Sequence, residues 1–192
     1  MKILKYVFGA LAVLVAGFFL IGIISPEVAY DCEIVVDKPM AEAWAVSQDE
    51  EKMPDWLEGF QRIEEISGTP GTVGAVSDIY FNSGGEEMVI RETIKDVKPD
   101  ESTTMFFETE FMNMDYVLSM APMDGKTKIS STTKAVGNGL FAKSVMALIG
   151  SSLKAQEDGN LANLKKVIES NTKDYFPKEE VTLEATENAE GE

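Results

Sequence analysis

Histidine is absent from the 192 residues, and cysteine occurs once, at Cys32. Without histidine there is no imidazole general base, no histidine-based triad and none of the commonest metal ligand. A single cysteine excludes an internal disulfide and a thiolate zinc cluster. Cys32 reads as a lone thiol near the start of a strand, with a bridge between chains as the alternative. Basic residues are also scarce: 17 Lys and Arg face 33 Asp and Glu, for a formal charge of -16. A surface this acidic repels nucleic-acid phosphates and disfavours electrostatic docking on anionic lipid. No glycine-rich phosphate loop leads from a strand into a helix, and the carboxylates lack metal-ligand spacing. No metal, cofactor or nucleic-acid partner is therefore expected. What remains is apolar content of 44%, enough for a core in one domain with extensions at its ends.

The longest apolar run stands first. Tyr6 to Ile24 carries no charge and has about the ~20-residue length needed to cross a bilayer. Lys2 and Lys5 precede it; Glu27, Asp31 and Glu33 follow. By the positive-inside rule the N-terminus is cytoplasmic and the rest extracytoplasmic. A cleavable signal peptide is the rival reading. It would have a shorter apolar core and a small-x-small cleavage site, and Glu27 occupies the small-residue position here. Residues 1–25 are read as a single-pass, uncleaved anchor.

Beyond the anchor the pattern alternates. Tyr30–Val36 reads as a strand, broken by Asp37-Lys38-Pro39. Met40–Ser47 reads as a short helix, and Asp49 caps a second one running through Trp56-Leu57. Six strands follow: 61–66, 73–82, 86–97, 102–111, 114–121 and 126–136. Turn signals separate them, Gly84-Gly85 and Asp124-Gly125 among them. Period-two alternation turns Met105, Phe107, Thr109 and Phe111 inward, with Met114, Tyr116, Leu118 and Met120.

Gly139–Ser170 contains no proline. It places Phe141, Val145, Leu148, Ile149, Ser152, Gln156, Leu161, Leu164 and Ile168 on one face of a long helix. Residues 171–192 are acid-rich and apolar-poor and read as a disordered tail, leaving 29–170 as the folded domain.

Several segments carry a family pattern. They are Glu33–Trp44, Met53-Pro54-Asp55-Trp56-Leu57-Glu58-Gly59-Phe60, Gly71-Thr72-Val73-Gly74, Glu92–Pro99 and Gly137-Asn138-Gly139-Leu140-Phe141. In order and spacing the chain resembles the helix-grip fold of the SRPBCC, or START-like, superfamily, in its polyketide cyclase/dehydrase-like branch. The added N-terminal anchor departs from the superfamily's usual soluble form. The resemblance implies an α+β fold: a curved antiparallel sheet of about seven strands wrapped on a long C-terminal helix. It also implies a deep cavity between them that holds a hydrophobic small molecule or lipid. It transfers no catalytic residue.

The candidate lining is Trp56, Tyr80, Met88, Ile90, Met105, Phe107, Phe111, Met114, Tyr116, Val145 and Ile149. Methionine suits a wall that adapts to varied apolar ligands, and equally suits ordinary core filling. Glu92 shares a strand face with Met88, Ile90 and Ile94. A carboxylate there would titrate high and could act as acid or base, unless a hydrogen bond or a lysine satisfies it. Asp78 poses the same question beside Val76 and Tyr80, and Tyr116 is a candidate donor. The expected function is membrane-anchored binding of an apolar molecule. The alternatives are a cyclase/dehydrase-type enzyme and a tethered interaction module.

Overall fold

The computed structural model describes residues 2–177. Helix α1 (Lys2–Ile24) leads into strand β1 (Glu27–Val36). Helix α2 (Met40–Gln48), a 3-10 turn at Glu50–Lys52 and helix α3 (Met53–Trp56) follow. Asp49 caps the turn by accepting from the Glu51 amide. Then come β2 (Phe60–Ser67), β3 (Val76–Ser83), β4 (Glu86–Lys98), β5 (Ser102–Glu108), β6 (Met112–Met123), β7 (Lys126–Gly137) and helix α4 (Gly139–Glu169).

All seven strands join one antiparallel sheet in the order β1-β7-β6-β5-β4-β3-β2. This is a six-stranded meander closed by β1 against β7, with α4 laid on the inner face of β1 and β7. Gly84 and Gly85 both adopt positive φ, which a tight hairpin between β3 and β4 requires.

Register fixes which side chains share a face. One inner row runs Tyr30, Thr133, Tyr116, Met105, Ile94, and the next runs Val28, Ala135, Met114, Phe107, Glu92, Ser77. The core sits where the inner face meets α2, α3 and the second half of α4: Val36, Val46, Trp56, Leu118, Ile129, Leu161, Leu164 and Ile168 are all buried. Removing water from such side chains is the main stabilising term, about 1.5–3 kcal/mol each.

Three expectations need correction. In the first half of α4 the sheet-facing stripe is Ala142, Met146, Leu153 and Glu157, whereas Phe141, Leu148, Ser152 and Gln156 are exposed. Both stripes repeat at helical spacing and both begin apolar, so periodicity alone did not choose between them. Strand β5 ends at Glu108, and Thr109 and Phe111 form the turn into β6. There the Thr109 hydroxyl donates to the Met112 carbonyl and accepts from the Met112 amide. Finally, Asn171–Tyr175, expected within the tail, is docked on the domain. Lys173 Nζ donates to Asp49 Oδ2 at 2.8 Å, and Tyr175 Oη donates to the same oxygen at 2.6 Å. The rest of the expected tail, from residue 178, lies outside the described residues.

Candidate functional site

Helix α4 packs mainly on β1 and β7, and the inner face of β3, β4 and β5 is buried at Ile79, Ile94 and Thr103 but only partly covered toward Met88. The apolar residues there pack less tightly than the core. Met88 is 42% exposed, and Ile90, Met105, Phe107 and Met114 are half-buried. Together they line a methionine- and phenylalanine-rich trough beside the helix. On α4, Val145 and Ile149 are half-buried.

Glu92 lies on the trough floor, paired in register with Phe107 on one side and Ser77 on the other. Burial alone pushes its carboxyl up to about 7; no cation near it counteracts that rise. An acid that titrates near neutrality can hold or release a proton there.

A second, polar cluster sits deeper, under α4. Tyr116 Oη donates to Glu157 Oε1 at 2.8 Å. Burial, and after it the Glu157 carboxylate, holds the Tyr116 phenol well above its ordinary range. Tyr30, across Thr133 in the same row, is raised too, chiefly by burial. The Ser131 and Thr133 hydroxyls lie close enough to these phenols to offset part of the rise, yet neither closes a hydrogen bond, and both are buried. Buried hydroxyls without partners are costly and mark a place where a polar ligand atom or water would be favourable. Cys32 completes the cluster, with Lys154 Nζ 3.5 Å from its sulfur. Burial pushes the thiol up to about 11, so it is protonated and poorly nucleophilic.

The sequence reading missed Tyr30, Glu157 and Lys154. Alternation along β1 could have found Tyr30. Glu157 was hidden by the misplaced helix face.

Other candidates lie elsewhere. Asp78 and Tyr80 project from the outer face of the sheet, opposite Glu92. Arg91 Nε donates to Asp78 Oδ1 at 2.8 Å, which holds that carboxyl below its ordinary range. Tyr80 Oη donates to Glu64 at 2.9 Å under the Arg62 guanidinium. Neither reaches the trough. Trp56 is buried in the main core with its indole N–H unpartnered. Phe111 is 37% exposed in the turn beside the start of α4.

The two best-formed hollows among the described residues are open and lie outside the trough. One, of about 290 Å³, lies against Asp78, Arg91 and Glu108; the other, of about 350 Å³, lies against β1 and β7 at Asp31–Glu33 and Ser130–Thr132. Neither of these two hollows lies between the inner face of β3–β5 and α4, where the resemblance implies a deep chamber. Among the described residues no group of His, Cys, Asp and Glu could hold a metal ion.

Residues 28–169 match the model of the family described as polyketide cyclase / dehydrase and lipid transport. The chain belongs to that family. Solved structures share its fold at low identity. Protein CV1439 from Chromobacterium violaceum matches at 14% identity and a TM-score of 0.61, over 75% of this chain and 99% of that one. Ara h 8.0201 matches at 17% and 0.61, over 76% and 99%. The Zhui aromatase/cyclase from Streptomyces sp. R1128 matches at 14% and 0.62, over 74% and 94%. No curated protein matches in sequence. The family's two activities, acting on a polyketide and carrying a lipid, both call for an apolar binding surface. The family match begins at Val28, so α1 lies outside it.

Proposed function

We propose that this protein binds a hydrophobic small molecule or lipid in the trough between β3–β6 and α4, while α1 anchors it in a membrane. The observation that carries the reading is the incompletely covered inner face, where Met88 is exposed and Ile90, Met105, Phe107 and Met114, neighbours across the strands, are only half-buried around Glu92. Soluble domains rarely leave contiguous apolar surface open unless something occupies it. The partnerless Ser131 and Thr133 hydroxyls favour a ligand with a polar end, seated beside Tyr30 and Tyr116.

Helix α1 supports the anchor. Its Ile3–Ile24 stretch is long and apolar enough to cross a membrane, and it is almost wholly exposed. It also packs specifically on α4: Gly22 lies against Ser144, and the Phe18 and Phe141 rings are 5.7 Å apart. A signal peptide destined for removal has no need of such a seat. Lys2 and Lys5 at the start of α1 and the acids after it favour the extracytoplasmic side for the domain.

Glu92 favours a second reading, an acid/base enzyme of the cyclase or dehydrase type, because it places a near-neutral carboxyl on the binding surface.

Native mass spectrometry of the full chain released from lipid nanodiscs tests the first reading. A discrete apolar adduct, displaced by adding charge at Phe107 (Phe107→Asp), supports it. A bare mass after exposure to total lipid extract refutes it. Turnover of the released ligand by the wild type and not by Glu92→Gln would establish the enzyme.

A further inference from the structure

The contacts between α1 and α4 set how deep the domain sits. The uncharged run Tyr6–Ile24 is about 29 Å long at 1.5 Å per residue, against a hydrocarbon core of about 30 Å, so the run has to fill the apolar layer end to end. Phe18 lies about 9 Å below Ile24 along the axis, inside that layer. Phe141 packs on Phe18 at 5.7 Å. Gly22 lets the two helices touch one turn higher: a Cβ there would lie 2.4 Å from Ser144 Oγ and 2.7 Å from the Ser144 amide nitrogen. The start of α4 therefore cannot stand in bulk water while α1 spans.

The same stretch is apolar where it faces outward. Leu140, Phe141 and Leu148 are 43%, 61% and 57% exposed. Beyond it α4 turns polar and climbs beside β1: Gly150 meets Val28, Lys154 meets Cys32, Lys165 bonds the Val35 carbonyl, and Glu169 accepts from the Asp37 amide. β1 leads away from α1, so depth falls steadily along α4.

The geometry points to a membrane-inserted face: Leu140, Phe141 and Leu148 lie at the acyl–headgroup boundary of the bilayer that α1 spans. The inference rests on the anchor reading above. Its partner is lipid and not protein, because the face is continuous with α1. Glu27 and Glu110 on the rim mean that apolar burial, and not attraction to anionic headgroups, holds it there.

The consequence concerns the trough. Asn138, just before α4, donates from its backbone amide to the Phe111 carbonyl and from its side chain to the Thr109 carbonyl. Met112 pairs with Gly137 at the same end of the strands. The methionine end of the trough thus opens beside the inserted face. An apolar ligand passes between bilayer and trough without crossing water.

The test uses the full chain in phosphatidylcholine vesicles, in a Cys32→Ala background, with an environment-sensitive fluorophore on single introduced cysteines. Phe141→Cys and Leu140→Cys report the proposed face. Val13→Cys reports the middle of α1, and Ala162→Cys reports the far half of α4. Doxyl-labelled lipid is the quencher. The proposal expects quenching at 140 and 141 of the same order as at 13 and severalfold above that at 162. Strong quenching at 13 with 140 and 141 no higher than 162 overturns the inserted face and leaves the anchor intact. No quenching at 13 overturns the anchor and the inserted face together.

Discussion

Replacing Glu92 by glutamine should stabilise the protein at alkaline pH and leave it unchanged at acid pH. The carboxyl moves from an ordinary 4.5 to about 7 on folding, with burial as the sole cause. The native state therefore binds more protons than the unfolded chain between those values, and stability falls as pH rises through that window. Once both states are ionised the cost is about 3 kcal/mol. That is an upper bound, because solvent reaches part of the side chain. Glutamine is nearly isosteric with the protonated acid, so at pH 4 the variant should match the wild type within about 0.5 kcal/mol. At pH 8 it should be more stable by about 1–3 kcal/mol. Urea unfolding in neutral detergent, followed by tryptophan fluorescence, reads this cleanly. Both tryptophans, Trp44 and Trp56, lie in the domain and none in α1. A difference between variant and wild type that does not change with pH would refute the reasoning, since it would mean that the carboxylate is already satisfied. The same linkage reaches function: an apolar ligand that drives water from the trough should bind more weakly as pH rises through 7.

Four further outcomes follow from single contacts. Asp49, held below its ordinary range first by Lys173 and then by Tyr175, stabilises the docked 171–175 segment above its unfolded pKa and loses that effect on acidification. Tyr175→Phe should cost about 1–2 kcal/mol at pH 7 and much less near pH 2, read by the same unfolding assay. Gly22→Val should force α1 off α4, so a disulfide that forms between Phe18→Cys and Phe141→Cys should fail to form in its presence. Asp78→Asn, on the outer face, should leave ligand binding unchanged in the mass-spectrometric assay that detects Phe107→Asp. Cys32, buried and pushed up to about 11, should resist alkylation at pH 8 in the folded protein and react in urea.

How far the chain could be read from its residues depended on whether a pattern had one physical solution. The strands did. In 102–108 and 114–121 the carboxylates Glu108 and Asp115 mark one face as outer despite Phe106 and Val117 on it, so the inner rows through Met105, Phe107, Met114 and Tyr116 follow. Glu92 was legible for the same reason, being a lone acid among Met88, Ile90 and Ile94. Asp78 was not, because Val76 and Tyr80 made its face look apolar. Tyr80 is amphipathic and lies flat under Arg62 on the outside, and Asp78 is satisfied by an arginine that only register brings opposite. The helix face failed in its first half because α4 has two neighbours there, the sheet and α1. A helix packed on two sides carries two apolar stripes, and periodicity cannot rank them.

That two-sidedness ties the proposed membrane anchor to the proposed binding surface. If α1 were only a tether, α4 would need one apolar stripe, and Phe141 and Ser144 could be any polar residue. Instead Gly22 lies close against Ser144, and one turn away the Phe18 and Phe141 rings meet. With α1 spanning as proposed, such a fit would fix the angle at which the domain leaves the bilayer. A fixed angle matters only if one particular side of the domain must face lipid. Among the exposed surfaces near that contact, the side so turned carries Leu140 and Phe141, with Phe111 and the methionine end of the trough next to it. A flexible linker would raise the local concentration of a membrane ligand equally well, but it would not aim the trough. On the proposed anchor and ligand, the packed contact between α1 and α4 therefore favours exchange with the bilayer over mere retention near it.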